Sequence, residues 1–184
     1  MNYNQNTFTG PSFSLKNRFL RFFWNNIYII LFKYSPRQFF LWRSLLLKCF
    51  GAKIGVGVHI YPKVKIWAPW NIEIGNNVGI SDGAVLYSQD KIKIGDRTVI
   101  SENTYICTGT HDYRDKGFKL YTRPIIIAED CWLSYGVFVH PGIIISQGVI
   151  IGACSVVIKN LSECSVYSGN PCKKIKNRYD NNKN

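Results

Sequence analysis

His111 is the side chain in this sequence best placed to move a proton near neutral pH. The chain has three histidines, His59, His111 and His140, and His111 directly precedes the one long interruption of a repeat that runs through the sequence. An imidazole titrates near pH ~6.5, so it can accept a proton from a hydroxyl group whose oxygen then attacks an acyl carbon. Spacing alone leaves open the alternative that His111 is a surface histidine without a catalytic role.

Cysteine is the second reactive residue type, with six copies and no Cys-x-x-Cys pair of the kind that binds zinc. The first residues, Met-Asn-Tyr-Asn-Gln, are polar and uncharged and predict no signal peptide, so we expect reduced thiols in a cytoplasmic setting. Cys131 and Cys154 occupy repeat positions that favour small residues. We interpret the cysteines as structural. Cys107 and Cys172 are expected nearest the site, but the hexad position of Cys107 predicts another corner or wall than that of His111, so no covalent nucleophile is expected.

The elements that must position His111 are short strands of a repeat with a period of six. An aliphatic residue recurs at every sixth position from Ile127 to Val157, and the blocks Ile74 to Leu86 and Ile94 to Ile106 follow the same period. This period fits neither a simple strand nor a helix, but it fits flat strands joined by tight corners. We expect glycines of Ile-Gly pairs to allow sharp turns at four corners, Gly55, Gly75, Gly95 and Gly152.

Three hexads make one triangular turn, and successive turns stack parallel strands about 4.8 Å apart. About five to six coils predict an all-β solenoid, a parallel β-helix, around a column of aliphatic side chains. One turn would place Thr98, Thr104 and Thr110 inside. We assign residues 51–172 to the β-helix, with an extruded loop at 112–123. Residues 173–184 are assigned to a basic, Asn-rich tail, disordered from Asn177.

Residues 1–50 are rich in aromatic and basic residues and lack the period of six. Pro36 separates two helix-like stretches, and the apolar run Ile27 to Phe32 is too short to span a bilayer. One interpretation is a helical segment that caps the open first turn of the β-helix. The other is an aromatic, basic face on an anionic membrane, which would make the protein peripheral at the inner face of the membrane. The two are compatible.

The formal charge of +12 implies anionic partners such as phosphates, nucleic acid or a membrane surface. Basic residues gather between Lys16 and Lys53 and again between Lys173 and Arg178. No recognised nucleic-acid motif interleaves basic and stacking residues, so no nucleic-acid partner is expected.

Three corner sequences, Ile-Gly-Asn-Asn-Val, Ile-Gly-Asp-Arg-Thr-Val and Ile-Gly-Ala-Cys-Ser-Val, resemble the hexapeptide-repeat acyltransferases, whose fold is a left-handed parallel β-helix. The handedness rests on this resemblance, because parallel crossovers are otherwise right-handed. The likeness covers roughly residues 51–178. The stretch Cys107–Tyr113 and the ending Gly169–Lys173 are most similar to polysaccharide O-acetyltransferases of the colanic-acid type, relatives of the maltose and galactoside acetyltransferases.

The resemblance implies an acetyl-CoA-dependent O-acetyltransferase for a sugar hydroxyl in surface-polysaccharide biosynthesis: exopolysaccharide, capsule or O-antigen. It implies a homotrimer with active sites between subunits, direct transfer with His111 as general base, and no metal. Related enzymes often carry a Glu late in the loop, where Lys119 stands here. Asp112 is therefore the expected orienter of His111, with Asp115 or a backbone carbonyl as alternatives.

On the donor side, the resemblance implies that Trp132 lines the site and that the backbone amide of Ser134 or Tyr135 supports the thioester oxyanion. It assigns cofactor contacts to Ala153, Lys159, Gly169, Pro171, Lys173 and Lys176. The alternative for the lysines is a solvated basic tail. Acceptor contacts are expected at Ser81, Asp82, Tyr87 and Tyr113, and the stretch Ser88 to Asp90 also aligns with acceptor positions of the related enzymes.

Three other functions compete with this prediction. N-acetylation of an amino sugar or nucleotide sugar would use the same histidine and cofactor. A non-catalytic β-helix scaffold would explain the repeat without chemistry. A zinc hydratase of the γ-carbonic-anhydrase kind needs three histidine ligands, two of them about five residues apart, and His59, His111 and His140 lack that spacing.

Overall fold

Three parallel sheets form the walls of a triangular prism in the computed structural model, which describes residues 11–180. The chain visits walls A, B and C in turn. Wall A contains β1 Lys53–Ile54, β4 Ile72–Ile74, β7 Ile92–Ile94, β12 Ile125–Ile127 and β15 Ile144–Ile145. Wall B contains β2 His59–Ile60, β5 Gly79–Ile80, β8 Val99–Ile100, β13 Trp132–Leu133, β16 Ile150–Ile151, β18 Ser165–Gly169 and β19 Cys172–Asn177. Wall C contains β3 Lys65–Ile66, β6 Val85–Tyr87, β9 Tyr105–Cys107, β14 Phe138–Val139 and β17 Val156–Val157.

The aliphatic residues of the period-six pattern stack in register inside the prism. On wall A, Ile94 pairs with Ile74 on one side and with Ile127 on the other. On wall B, Ile100 and Leu133 are fully buried and paired in the same way. Burial of each such side chain contributes about 1.5–3 kcal/mol. The bridge from Leu161 to Ile145 begins a sixth turn, so the predicted parallel β-helix of five to six coils is confirmed.

The glycines of the Ile-Gly corners serve a different purpose from the predicted one. Gly95 does not have a left-handed backbone; a Cβ placed on it would lie 2.5 Å from the amide nitrogen of Glu129 in the next coil. The left-handed positions of the corners fall instead on residues such as Asn77 and Arg97, with φ of 55° and 54°. The Ile-Gly glycines are therefore needed because neighbouring coils approach closely, and the prediction that they relax the turns is wrong.

Polar residues inside the third coil are partly where the pattern predicted them. Thr98 and Thr104 are fully buried, and their hydroxyls donate to Ala128 O at 2.8 Å and to Ser134 O at 3.0 Å. Thr110 lies outside the column and is half-buried. Its inward placement is contradicted because the chain has already left the prism at this point.

A helical segment lies at the N-terminal end of the prism. It consists of α1 Leu15–Ile27, a π-helical turn Tyr28–Phe32 and α2 Phe40–Cys49, and a 3₁₀ turn Pro69–Asn71 follows in the second coil. Ser14 caps α1 by accepting a hydrogen bond from Asn17 N at 3.2 Å. Trp24 is buried and donates to Ile66 O at 2.7 Å, and Arg43 is buried and donates to Ile60 O at 2.6 Å. These contacts join both helices to the first coil.

A hairpin lies at the other end. β18 runs parallel to β16, and β19 returns antiparallel to β18. Lys173–Asn177, expected in a tail, therefore belong to a strand, and Asn177 N donates to Asp180 Oδ2 at 3.2 Å. The predicted disorder from Asn177 is thus contradicted as far as Asp180, and residues 181–184 lie outside the described residues. Across residues 11–180, helices are too short or too polar to cross a membrane.

Candidate active site

His111 lies on a two-stranded arm that leaves the prism between β9 and β12. The arm pairs β10 Gly109–His111 with β11 Leu120–Thr122 in antiparallel register. At its base, Arg123 N donates to Thr108 O at 2.9 Å and Thr122 Oγ1 donates to Asp90 Oδ2 at 3.0 Å. The interruption was predicted as a loop at 112–123. It is a hairpin that begins at Gly109, because strand pairing satisfies backbone groups that an open loop would leave to water.

The imidazole of His111 is held by Phe118 from the turn of this arm. Nδ1 of His111 lies 2.8 Å from the carbonyl oxygen of Phe118, and the two rings stack with centroids 4.5 Å apart and planes inclined by 9°. A carbonyl oxygen only accepts hydrogen bonds, so Nδ1 of neutral His111 carries the proton. Nε2 is then the nitrogen with a free lone pair, which is the form a general base requires.

The turn shapes Phe118 so that its carbonyl faces His111. Phe118 has a left-handed backbone with φ of 48°, and its amide donates to Asp115 O at 2.8 Å. Asp115 also pairs with Lys119 at 3.0 Å, and that hydrogen bond lowers the pKa of Asp115. The carboxylate of Asp112 accepts from Arg114 N at 3.0 Å. The orienting contact predicted for Asp112 is therefore made by a backbone carbonyl, one of the alternatives left open.

Two cavities lie beside His111. The larger, about 700 Å³, is lined by the arm itself and includes Tyr113. The smaller, about 400 Å³, lies between the arm and wall C and includes Tyr87 and Tyr105. Gln89 also lines it; its Nε2 donates to Tyr87 Oη at 2.9 Å, and its buried Oε1 has no hydrogen-bond partner within residues 11–180. The smaller cavity is therefore lined by two tyrosine rings and an amide side chain as well as by His111.

The predicted acceptor residues divide between this region and another corner. Tyr87 and Tyr113 each line a cavity that contains His111. Ser81 and Asp82 lie at the corner between β5 and β6, where Asp82 Oδ1 accepts from Lys63 N at 2.9 Å. Gln89 lies in the stretch Ser88 to Asp90 that the sequence offered as acceptor positions, whereas Tyr105 and Phe118 were missed by sequence reasoning. Tyr105 faces outward beside Tyr87 on wall C, and strand alternation could have identified it.

The predicted donor residues lie on wall B and at the corner that follows it. Trp132 is 47% exposed and donates from Nε1 to Ser101 Oγ at 3.0 Å. The amide of Ser134 donates to Ile151 O at 3.0 Å and is thus committed to the coil ladder. That finding contradicts the oxyanion role offered for Ser134 and leaves Tyr135, an exposed residue of the same corner, as the candidate.

The predicted cofactor residues lie mainly on the same side of the prism. Ala153 follows β16, and Gly169, Pro171, Lys173 and Lys176 belong to β18, β19 and the turn between them. Lys159 follows β17 and lies at the corner from wall C to wall A, the corner from which the arm emerges in an earlier coil. In a triangular prism that corner lies opposite wall B. One chain therefore does not bring Trp132 and Lys173 to its own His111.

The thiol beside the arm is not activated. Cys107 Sγ donates to Gly109 O at 3.1 Å, and burial raises the pKa of the Cys107 thiol. Burial raises the pKa of the Cys172 thiol as well. A nucleophilic cysteine needs the opposite shift. No group of three or more His, Cys, Asp or Glu side chains suited to a metal ion occurs within residues 11–180.

No model of a known protein family matches the chain. A protein of Escherichia coli K12 named as a colanic acid biosynthesis acetyltransferase, WcaF, is 41% identical over 157 residues, which span 85% of this chain and 86% of that protein. The galactoside O-acetyltransferase of Escherichia coli K12 is 31% identical over 145 residues, spanning 77% and 71%. A hexapeptide-repeat-containing acetyltransferase of Vibrio cholerae O1 biovar eltor, solved with acetyl coenzyme A, matches with a TM-score of 0.83 at 23% identity over 91% of each chain.

These similarities, with the fold, define an enzyme that is an acetyltransferase on a left-handed parallel β-helix. The chain belongs to the hexapeptide-repeat acetyltransferases, in the group that contains the colanic-acid-type protein and the galactoside O-acetyltransferases. The family predicted from the Ile-Gly hexads is thereby confirmed.

Proposed function

We propose that this acetyltransferase transfers the acetyl group of acetyl-CoA to a sugar hydroxyl in a surface-polysaccharide precursor, in the cytoplasm. The two relatives support this proposal by their names, one a colanic acid biosynthesis enzyme and the other a galactoside O-acetyltransferase. The Vibrio cholerae structure was solved with acetyl-CoA. The cavity beside His111, with Tyr87, Tyr105 and Gln89, has the aromatic faces and the polar group that suit a sugar ring and its hydroxyls.

The observation that carries the proposal is the 2.8 Å contact between His111 Nδ1 and Phe118 O. It leaves Nε2 unprotonated in the neutral ring. Nε2 accepts the proton of the acceptor hydroxyl as the oxygen attacks the thioester carbon. The tetrahedral intermediate then collapses, the carbon–sulfur bond breaks, and the imidazolium returns its proton to the CoA sulfur. The raised pKa of the Cys107 thiol favours this direct transfer over a covalent acyl-cysteine.

The donor side of the reaction is assigned to wall B. The amide of Tyr135 is the proposed donor to the oxyanion, and preorganised donors of this kind lower a barrier by about 3 kcal/mol. Trp132 is proposed to line the path of the pantetheine chain of CoA. The phosphates of CoA would be bound by Lys159, Lys173 and Lys176. The pantetheine chain of CoA would contact three small or compact residues, Ala153, Gly169 and Pro171.

A homotrimer completes the site in this proposal. His111 and wall B lie on opposite sides of one prism, so the base of one subunit would meet the donor residues of a neighbour. Tyr87 and Tyr113 would hold the acceptor from the subunit of the base. Ser81 and Asp82 are retained as acceptor contacts only through a neighbouring subunit, because within one chain they lie at another corner.

The first test is calorimetric titration with acetyl-CoA, which does not require the acceptor. Micromolar to submillimolar binding, about one site per chain, is expected, and the Lys173→Gln/Lys176→Gln variant should bind at least tenfold more weakly, since two charge-assisted phosphate contacts are lost. Lys91→Gln/Lys93→Gln removes two exposed lysines, one just before β7 and one within it, and serves as the control. Absence of binding by the wild-type protein would favour the scaffold function.

The shared site is tested by subunit complementation. His111→Ala and Lys173→Gln/Lys176→Gln chains are each inactive or weak alone, but mixed trimers should regain activity because some interfaces combine an intact base with intact donor residues. A mixture no more active than its components would contradict a site between subunits. Acceptors should include matched sugars with a free hydroxyl or a free amine; transfer to the amine alone would replace O-acetylation by N-acetylation.

A further inference from the structure

The rod formed by α1 and the following π-helical turn carries a stripe of large apolar side chains on its outer side. The stripe consists of Leu15, Phe19, Phe22, Phe23, Ile29 and Ile30, all exposed, with Leu15 79% and Ile30 68% accessible. Counted from Leu15, the three phenylalanines follow after four, seven and eight residues, and the two isoleucines come seven residues after the last two phenylalanines. This spacing puts all six side chains on one face of the rod. Half of the large apolar side chains that are exposed in residues 11–180 lie between Leu15 and Leu45.

The inner side of the same rod is already packed, so rotation cannot bury the stripe. Trp24 is fully buried, donates to Ile66 O at 2.7 Å and packs against the Phe32 and Phe50 rings at 5.8 and 5.3 Å. Phe32 is fully buried as well. The rod therefore has an apolar inner face against the prism and a second apolar face directed outward. A continuous exposed face of this kind marks an interaction surface.

The charge of the segment that carries the stripe is of one sign. Ten basic residues and no acidic residue precede Glu73 in the sequence. Lys16 and Arg18 lie beside Leu15 and Phe19 on α1, and both are exposed, as are Lys33 and Arg37 after the rod. A surface with this composition complements a partner that is apolar inside and anionic at its boundary.

Two occupants of the stripe can be weighed by this charge. A second copy of the chain would bring two identical basic faces together, with no carboxylate in the segment to pair with them. An anionic lipid surface offers phosphates to the lysines and arginines and acyl chains to the phenylalanines. No helix of residues 11–180 is long and apolar enough to cross a bilayer, which agrees with a rod that lies on the surface.

We propose that this stripe docks the protein on an anionic phospholipid membrane. The proposal does not depend on the acyl transfer reaction, because it uses neither His111 nor acetyl-CoA. Ser12 and Phe13, which stand just before the N-cap residue of α1, line the smaller cavity beside His111. Docking through α1 would therefore hold that cavity close to the lipid surface.

Flotation of the full chain with lipid vesicles tests the proposal. Vesicles of phosphatidylcholine are compared with an equal mixture of phosphatidylcholine and phosphatidylglycerol. The protein should float with the mixed vesicles at least tenfold more strongly than with phosphatidylcholine alone, and the difference should shrink at high salt because the Debye length falls to about 3 Å at 1 M salt.

Two variants separate the apolar contribution from the charge. Phe19→Ser/Phe22→Ser should reduce binding to the mixed vesicles at least tenfold, and Lys16→Gln/Arg18→Gln should reduce it about fivefold for each charge removed. The matched controls should bind as the wild type does. Ile158→Ser/Tyr179→Ser removes two exposed apolar side chains elsewhere, and Lys91→Gln/Lys93→Gln removes two exposed charges, one just before β7 and one within it.

Circular dichroism and sedimentation accompany the flotation. All substituted side chains are exposed, so the folded spectrum should be retained. Failure of the folded wild-type protein to float with mixed vesicles would overturn the proposal. So would undiminished flotation of Phe19→Ser/Phe22→Ser. Absence of vesicle binding together with a change of oligomeric state in that variant would also overturn it and assign the stripe to a contact between copies.

Discussion

The coils of the prism and the arm that carries His111 are held in place by different contacts. Coil residues are fixed by their neighbours in adjacent coils, as when Gly95 N donates to Ile127 O at 2.8 Å. His111 is fixed by its own arm, through the carbonyl and the ring of Phe118. The difference indicates that the scaffold and the chemistry are separable. Changes in the arm should alter activity without unfolding the protein. Changes in the coils should act first on the free energy of unfolding.

The largest effect is expected for His111→Ala. Loss of the general base should lower acetyl transfer about a thousandfold. Acetyl-CoA binding should stay near the wild-type value, and the unfolding free energy should fall by no more than about 2 kcal/mol, because His111 is half-buried and its hydrogen bond and ring stack both lie within the arm. Steady-state kinetics, calorimetry and urea unfolding measure the three quantities.

His59→Ala is the control for this change. His59 lies on β2 and stacks on Phe40 at 4.4 Å, far along the prism from the arm. It should keep its activity. Transfer retained by His111→Ala would remove the proposed mechanism, and loss of folding in that variant would contradict the separation of arm and coils.

A coil should fail in the opposite way when Gly95 is replaced by alanine. The added Cβ would lie 2.5 Å from Glu129 N and 2.6 Å from Ala128 C, both backbone atoms of the next coil. Relief of this overlap would require a backbone shift, so we expect a loss of about 3 kcal/mol in the unfolding free energy. Urea unfolding measures it.

Gly79→Ala is the matched change, since a Cβ at Gly79 meets nothing within 4 Å. Its unfolding free energy should remain within about 0.5 kcal/mol of the wild type. Equal destabilisation by both substitutions would show that coil glycines serve conformational freedom and not close approach.

A smaller effect on activity is expected from Phe118→Gly. The carbonyl that holds His111 Nδ1 is part of the backbone and remains, and glycine adopts the left-handed conformation at no cost. The ring stack on His111 is lost, which is worth about 0.5–1.5 kcal/mol. The fall in kcat should therefore be about tenfold or less.

Phe118→Ala sharpens the same point. Alanine removes the ring but retains a Cβ in a left-handed backbone, at a cost of about 1 kcal/mol, so this variant should be less active than Phe118→Gly. A thousandfold loss in Phe118→Gly would show that the ring, and not the carbonyl, holds the imidazole.

The smallest effect concerns the ion pair within the arm. The hydrogen bond from Lys119 lowers the pKa of Asp115 in the folded protein. Its stabilising contribution is therefore present above the ordinary aspartate pKa of ~3.9 and is lost as the pH falls through the lower folded value. Since the Lys119–Asp115 pair is partly exposed to water, acetyl transfer measured at neutral pH should not change when the pair is removed in Lys119→Met.

The chemical shift of the Gly117 amide measures this titration, because Gly117 N donates to Asp115 Oδ1 at 2.7 Å. Its midpoint should lie below the ordinary aspartate value and should rise in Lys119→Met. A midpoint that is unchanged by Lys119→Met would assign the shift to the backbone bond alone.

Much of the prism was predictable because its signal is periodic. The inward aliphatic residues repeat every six positions, and burial follows that period from Ile74 to Val157. The position of His111 was predictable for the same reason, because the sequence shows where the period of six stops and His111 stands just before the long interruption. The boundary was less so. Thr110 continues the period of six in sequence but lies outside the column, because strand pairing across the arm begins at Gly109.

The contacts that set the chemistry had weaker signals. Phe118 acts through a backbone carbonyl, which every residue possesses, so residue type could not single it out. The close approach at Gly95 depends on the neighbouring coil, 34 positions later at Glu129, and the commitment of the Ser134 amide depends on Ile151. Both are properties of stacked coils and are invisible in a single repeat.

The stacking of coils also constrains how this enzyme can diverge. The arm leaves the prism after the third coil, whereas Trp132 belongs to the fourth. Because strands of one wall repeat at about 4.8 Å, an insertion into the stacked walls, unlike one into the arm, must add a whole coil and moves one group past another by that step. The separation between His111 and the donor residues along the prism axis therefore changes only in steps of one coil. Evolution can change this separation along the prism only by whole coils. Finer adjustment depends on side-chain size and on the bend of the arm.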